Sequence, residues 1–247
     1  IERCCDICIG DSGVIWTSDF LERSLGEGSY RTEIRVCMHC VRILELALPY
    51  YASRVSTYYF ATAGKSAVGL VRAGNEDSAL TSKSLIAVAD GMGGHAGGEV
   101  ASYVAITTLR DLAPSFAHND IDSDSADDLF AAAVEEIDKT LAWTATERPE
   151  LSGLGTTLSA LLLHGETVAM AHIGDSRIYR LRGNSIEQLT KDQTVIQQLL
   201  DSGSITLDEV ANHPQRSVLT HVLMGDGTAL SGLTVYEVKP QDRFILC

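Results

Sequence analysis

The sequence predicts an α+β domain, on three observations. Short apolar, β-branched runs end at glycines and acids, two longer segments carry apolar residues at helical spacing, and closely spaced strands are joined by single-glycine turns that suit antiparallel hairpins. With 247 residues, 45% hydrophobic and 21% charged, the chain can bury a sizeable core and has the composition of a soluble globular protein. The first strands are expected at Ala67-Val68-Gly69-Leu70-Val71 and at Leu85-Ile86-Ala87-Val88-Ala89. Glu99 to Leu112, with Val100, Val104 and Leu112 on one face, predicts a helix ended by Pro114. A second helix, Ala126 to Trp143, presents Leu129, Ala133, Ile137 and Leu141 inward. Thr156 to Leu163, Val168 to Ile173 and Arg177 to Arg182 then read as strands turning at Gly165 and Gly183. Thr194 to Leu200 and Leu207 to Ala211 read as short helices before His213-Pro214 interrupts the pattern, and the sequence closes in an apolar strand at Cys247.

Where these strands end, carboxylates gather. Val88-Ala89-Asp90-Gly91-Met92-Gly93-Gly94-His95 sets Asp90 at the exit of a buried strand and follows it with glycines, which let the main chain approach an ion and let Gly91 offer its carbonyl oxygen. Taken alone, the string is equally a strand-turn-helix corner with a capping Asp. Two further acidic strand ends shift that balance: Arg72-Ala73-Gly74-Asn75-Glu76-Asp77 upstream and Gly174-Asp175-Ser176-Arg177 downstream. Carboxylates brought together repel one another until cations or protons neutralise them. Oxygen ligands without His or Cys suit Mg²⁺, Mn²⁺ or Ca²⁺ rather than zinc.

These residues resemble the metal-dependent protein serine/threonine phosphatases of the PP2C type, in their bacterial form. The resemblance is carried by Arg72 to Asp77, Ala89 to His95 with Gly98-Glu99-Val100-Ala101-Ser102, Gly155-Thr156-Thr157-Leu158 and Gly174-Asp175-Ser176-Arg177. It continues through Leu189-Thr190-Lys191-Asp192, Gly203-Ser204-Ile205, His213-Pro214 with Arg216, and Asp242 to Cys247. It implies a PP2C-like four-layer α/β/β/α sandwich of two mostly antiparallel sheets flanked by helices, with the metal cleft at one edge between the sheets and a variable flap near the substrate.

Residue by residue, the resemblance implies that Asp90 bridges two metal ions and Gly91 gives its main-chain oxygen to one. Glu76 and Asp77 hold metal-bound waters, Asp175 assists a third, weaker metal, and Arg72 grips the substrate phosphate through its always-charged fork. His95 matches the proposed general acid of animal relatives less closely, since Met92-Gly93-Gly94 intervene. The implied chemistry is hydrolysis by water activated between two or three Mg²⁺ or Mn²⁺ ions, with no protein nucleophile. The family's next Asp-Gly pair and a later metal-binding Asp are absent from these 247 residues. The sandwich is therefore expected to be incomplete at its C-terminal side, and these residues alone are expected to be weakly active or inactive.

Residues 1–56 lie outside that resemblance. Cys5-Asp6-Ile7-Cys8 and Cys37-Met38-His39-Cys40 form two Cys-x-x-Cys pairs that can surround structural Zn²⁺, and Val41 to Leu48 looks helical, an arrangement that resembles a treble-clef zinc finger. Disulfides, a redox pair and free buried cysteines are the competing readings. A boundary near Ser56 divides this small segment from a phosphatase-like region over 57–247.

No apolar run approaches the roughly 20 residues of a membrane helix. The net charge of −14 argues against a nucleic-acid partner. Nothing in the sequence calls for an oxidising compartment, so a cytoplasmic location is expected. The first functional expectation is a phosphatase acting on phosphorylated proteins. The second is a non-catalytic module that docks or regulates phosphoproteins, and a metal-dependent nuclease is a distant third. Oligomeric state is not legible.

Overall fold

The structure, a computed structural model, describes residues 34–38, 41–42, 58–68, 74–93, 96–116, 123–227 and 233–247; side chains are described for all of these except 34–38, 41–42 and 123–126. The largest sheet contains β4 (Asp77–Thr81), β5 (Leu85–Met92), β7 (Leu158–His164), β8 (Thr167–Ile173) and β11 (Thr234–Glu237), in the order β11-β8-β7-β5-β4. All of these pairings are antiparallel, and the short β6 (Gly155–Thr156) pairs with the end of β5. A second sheet runs β10 (Ser185–Gln188), β9 (Ile178–Arg182), β12 (Arg243–Leu246), β2 (Val41–Arg42). β1 (Ile34–Met38) lies parallel to β3 (Thr62–Ser66).

Alternation along the central strands builds two cores. Leu85, Ala87 and Ala89 of β5 and Leu158, Ala160 and Leu162 of β7 face α1 (Gly97–Phe116) and α2 (Ser123–Glu147), where they meet Ala101, Ala105, Leu109, Phe130, Val134, Ile137 and Leu141. The intervening Ile86, Val88, Leu161 and Leu163 face the second sheet and pack with Phe60, Ile178, Phe244 and Leu246. Strands buried on both faces read as continuous apolar runs, which is the pattern seen in Leu85 to Ala89. The result is helices on a sheet on a sheet, in agreement with the expected sandwich class.

Several local expectations are corrected. The strand expected at Ala67–Val71 is instead Thr62–Ser66, with Ala67 and Val68 beyond its end and 69–71 outside the described residues. Val41 and Arg42 form a strand rather than the start of a helix, because β12 offers its free ladder at Ile245 and Leu246. Helix α1 passes through Pro114 to Phe116, whose buried ring meets Phe130 edge-on at 6.1 Å and holds the last turn against the core. On α1 the buried stripe is shifted by one residue, Ala101 and Ala105 being buried where Val100 and Val104 are only partly so; on α2 Ala133, Ile137 and Leu141 are buried as expected and only Leu129 is exposed, with Phe130 in the core beside it.

Helix α2 extends three residues before and four beyond the expected Ala126 to Trp143, β5 runs on to Met92, and β4 and β11 have no counterpart in the sequence reading, while the other expected strands and the two short helices agree to within a residue or two. Gly165 and Gly183 both take positive φ at their hairpin turns. Helix α3 (Val195–Asp201) is capped by the Thr194 side chain accepting from Gln197, and α4 (Leu207–Val210) begins with a Thr206–Glu209 capping box.

Candidate metal centre

Strand register creates the centre. Asp77 stands directly opposite Asp90 in the β4–β5 ladder, and counting along β5 by twos from Ile86 and Val88 brings Asp90 onto the face between the two sheets. Directly opposite side chains on antiparallel strands have Cβ atoms about 4.5–5.5 Å apart, a separation that destabilises two like charges. The pair therefore lies at the open end of the inter-sheet space with its charges unbalanced by each other.

Gly91 faces the other way, toward the start of α1. A Cβ on Gly91 would lie 1.9 Å from the Gly98 carbonyl oxygen, so only glycine lets the strand end and the helix start touch. A Cβ on Gly98 would lie 2.7 Å from Glu76 Oε2 and 2.9 Å from the Gly91 oxygen. These two oxygen donors thus crowd one point beside the Asp77–Asp90 pair. Glu76 is held there by its main chain: its carbonyl accepts from Gly91 N (3.1 Å) and from Ser102 Oγ (2.6 Å).

The main chain of Asp90 is fixed from the opposite side by the Thr156-Thr157 pair. Asp90 N donates to Thr157 Oγ1 (2.9 Å), and the Asp90 carbonyl accepts from Thr157 N (2.9 Å) and Thr156 Oγ1 (3.0 Å). Thr157 Oγ1 also shares a hydrogen bond with Ser176 Oγ at 2.7 Å, tying Asp90 to the turn that contains Asp175. That turn follows β8 in one sheet and precedes β9 in the other, so Asp175 sits where the chain crosses between sheets. Gly174 enters it at φ 102°, and a Cβ there would meet Thr157 Cγ2 at 2.5 Å.

Asp175 keeps solvent on one side while protein crowds the other. That desolvation raises its carboxyl above the ordinary range, and the charges of Asp90 and then Asp192 raise it further. The link from Asp175 to Asp90 runs through its neighbour Ser176, whose Oγ meets the Thr157 hydroxyl that accepts the Asp90 amide. Beyond them, Arg177 forms a two-pronged ion pair with Asp192, Nε to Oδ1 at 2.7 Å and Nη2 to Oδ2 at 2.5 Å. Asp192 also lines a polar cleft of about 390 Å³ between β8 and α3, together with His172, Lys191 and Gln193.

Of the residues expected from sequence, Asp77 and Asp90 are thus set opposite each other with Glu76 and Gly91 next to them along the chain, and the Asp175 turn is tied to Asp90 through Ser176 and Thr157. Arg72 and His95 lie outside the described residues, as do Cys5, Cys8 and Cys40; Cys37 is described only as part of the β1 backbone. Among the described residues no three His, Cys, Asp or Glu side chains close a cage around an ion by themselves. Carboxylates that line an opening, with a main-chain oxygen among them, suit a hard cation that keeps several waters, as Mg²⁺ does. Sequence reasoning assigned no roles to Ser102, Thr157, Ser176 and Asp192, although all four stand in the strings that carried the resemblance.

The description Protein phosphatase 2C belongs to the family model that matches residues 74–244. The serine/threonine protein phosphatase PstP of Mycobacterium tuberculosis is 45% identical over 188 residues, which are 75% of this chain and 35% of that protein, so the chain spans about a third of the length of this curated relative. The crystal structure of the M. tuberculosis phosphatase PstP/Ppp superposes with a TM-score of 0.63 at 43% identity, covering 72% of this chain and 74% of that one. The catalytic domain of PstP in complex with 2 manganese ions gives 0.63 at 40% identity over 72% and 73%. With the family model covering more than half of the sequence and solved relatives sharing the fold at this identity, the chain belongs to the protein phosphatase 2C family.

Proposed function

We propose that this chain is the catalytic part of a metal-dependent phosphatase that hydrolyses phosphoserine and phosphothreonine in proteins. The observation that carries the reading is the facing pair Asp77 and Asp90, with the Glu76 carboxylate and the Gly91 carbonyl beside it. Bound Mg²⁺ or Mn²⁺ would supply Lewis-acid stabilisation of the phosphoryl oxygens and lower the pKa of water. Asp90 and the Gly91 oxygen would hold the ions, Glu76 and Asp77 would orient water by accepting its protons, and Asp175 would add a further carboxylate at the rim. Arg72 would bind the phosphate by two parallel hydrogen bonds, and His95 would protonate the leaving oxygen. Support comes from the manganese ions of the related PstP structure and from the chemistry of an all-oxygen donor set.

Phosphorylated cytoplasmic proteins are the proposed substrates. That no helix among the described residues is long and apolar enough to cross a membrane is compatible with this. For the segment before Ser56 the proposal is structural Zn²⁺ on Cys5, Cys8, Cys37 and Cys40, supported by spacing alone. Less than about half an equivalent of zinc in purified reduced protein would refute it.

The decisive experiment is phosphate release from a phosphothreonine peptide by the complete protein, with the family's further Asp-Gly pair and later Asp in place, with and without Mn²⁺. Release that requires Mn²⁺ and is lost in Asp90→Ala is expected. Binding of the phosphopeptide without turnover, unchanged by Asp90→Ala, would instead favour a docking module.

A further inference from the structure

The Asp175 turn is gripped at both ends by one dipeptide. On the far side, Asp192 takes both prongs of the Arg177 guanidinium, and burial leaves its own carboxylate largely shielded. On the near side, Gln193 closes three hydrogen bonds: its Oε1 accepts from Gly174 N (2.9 Å), its main-chain N donates to Gly174 O (2.8 Å), and its Nε2 donates to His172 O (3.3 Å). Between these grips stand Asp175 and Ser176, and Ser176 is bonded to the Thr157 hydroxyl that also receives Asp90 N–H. Gln188 Nε2 donates to the Thr190 carbonyl, which steadies the loop that carries the dipeptide.

The turn needs such a grip because a surface turn of four residues is otherwise free to swing its acid into solvent, and this one enters at φ 102° with Gly174 tight against Thr157. We propose that Asp192 and Gln193 are positioning residues that hold the Asp175 turn against the Thr157–Ser176 link to Asp90, so that the Asp175 carboxylate can help hold a divalent cation at the edge of the site. Arg177 is the link on one side and Gly174 on the other. Asp192 acts through this geometry and touches neither substrate nor ion. Replacement of partners that orient metal-binding side chains commonly weakens affinity about 10–100-fold, which sets the size of the effect to look for.

The inference rests on the phosphatase reading for the purpose of the site, and its test uses the ion alone. Mn²⁺ binding to the full 247-residue chain is titrated by loss of the free-ion electron paramagnetic resonance signal for the wild type, Asp175→Asn, Asp192→Asn and the double variant, with Asp192→Glu as the conservative control. The weaker binding event is expected to move by about tenfold in Asp192→Asn, as in Asp175→Asn, with no further loss when the two are combined and with partial recovery in Asp192→Glu. Gln193→Met, which leaves the ion pair in place, gives a smaller shift in the same direction and keeps the test open if Asp192→Asn does not fold. Additive losses in the double variant, or unchanged Mn²⁺ binding in both Asp192→Asn and Gln193→Met, overturn the proposal, as does a wild type with no weaker binding event. If the 247-residue wild type shows the expected pattern of binding yet the complete protein releases no phosphate from a phosphopeptide, the phosphatase reading fails and the positioning role stands.

Discussion

Thr157→Val removes one hydroxyl and little volume, and the structure indicates that it will be costly. Thr157 is 1% exposed, its Oγ1 accepts the Asp90 amide at 2.9 Å, and it shares a hydrogen bond with Ser176 Oγ at 2.7 Å. Valine leaves that amide without its hydroxyl partner in a place water does not reach, which costs about 1–3 kcal/mol, and the Ser176 hydroxyl loses a bond worth about 1 kcal/mol. A total of about 2–4 kcal/mol follows, or a fall in Tm of about 4–16 °C for a chain of this size. Urea unfolding of the wild type, Thr157→Val and Thr157→Ser separates the hydroxyl from the methyl. Serine keeps the hydroxyl and should lose less than about 1 kcal/mol, the scale of one buried methyl. A double-mutant cycle with Ser176→Ala should show a coupling of about 1 kcal/mol. If valine and serine unfold at the same urea concentration, the hydroxyl does not secure Asp90 and the account of the site's framework is wrong.

Other perturbations test other joints. Gly91→Ala forces a methyl to 1.9 Å from the Gly98 carbonyl, so a loss of about 3 kcal/mol in urea unfolding is expected, together with weakened Mn²⁺ binding; an unchanged midpoint would show that α1 starts elsewhere. Asp138, buried on α2, accepts from the amides of Gly225 and Gly227, both at 2.8 Å, and Asp138→Ala should cost about 2–4 kcal/mol and speed amide exchange across 223–227. His172 is held below its ordinary value of 6.5, first by burial, against the opposing Lys191 carbonyl and Asp192 charge. The unfolded chain therefore binds a proton that the folded one refuses, so this contribution to stability is complete above about pH 6.5 and is lost as the pH falls toward the folded value. Melting of the wild type and His172→Gln from pH 7.5 to 5.5 should show the wild type losing more, and parallel curves would refute it.

The fold was readable wherever a segment's own pattern decided its state. Leu85 to Ala89 is apolar on both sides because both its faces are covered, and the Gly165 and Gly183 turns follow from their φ of 57°. Errors fell where a distant partner decided. Val41 and Arg42 carry no signal for pairing with Leu246 and Ile245, two hundred residues further along in rough terms, and helix α1 overrides Pro114 because Phe116 has the Phe130 ring to pack against. The one-residue shift of the buried stripe on α1 has a similar cause. Alanines at 101 and 105 let α1 lie close on β5, and the bulkier valines beside them are turned to the margin.

The candidate site divides along the same line. Each acid is visible in the sequence as the end of a strand, but nothing local says that Asp77 and Asp90 face each other; that is a property of the β4–β5 register, which also sets Ser78 opposite Ala89 and Leu80 opposite Ala87. Slipping β4 by one residue would send Asp77 to the helix face and Ser78 to the cleft, burying a carboxylate against α1 where Ser78 now meets Ser102 at 3.0 Å. The apolar partners Leu80 and Ala87 resist that slip, since they belong to the helix-side core. Core packing and the placing of the two acids are therefore specified by one register: the burial that aligns Leu80 with Ala87 is what sets Asp77 opposite Asp90, where carboxylates side by side would favour a cation between them.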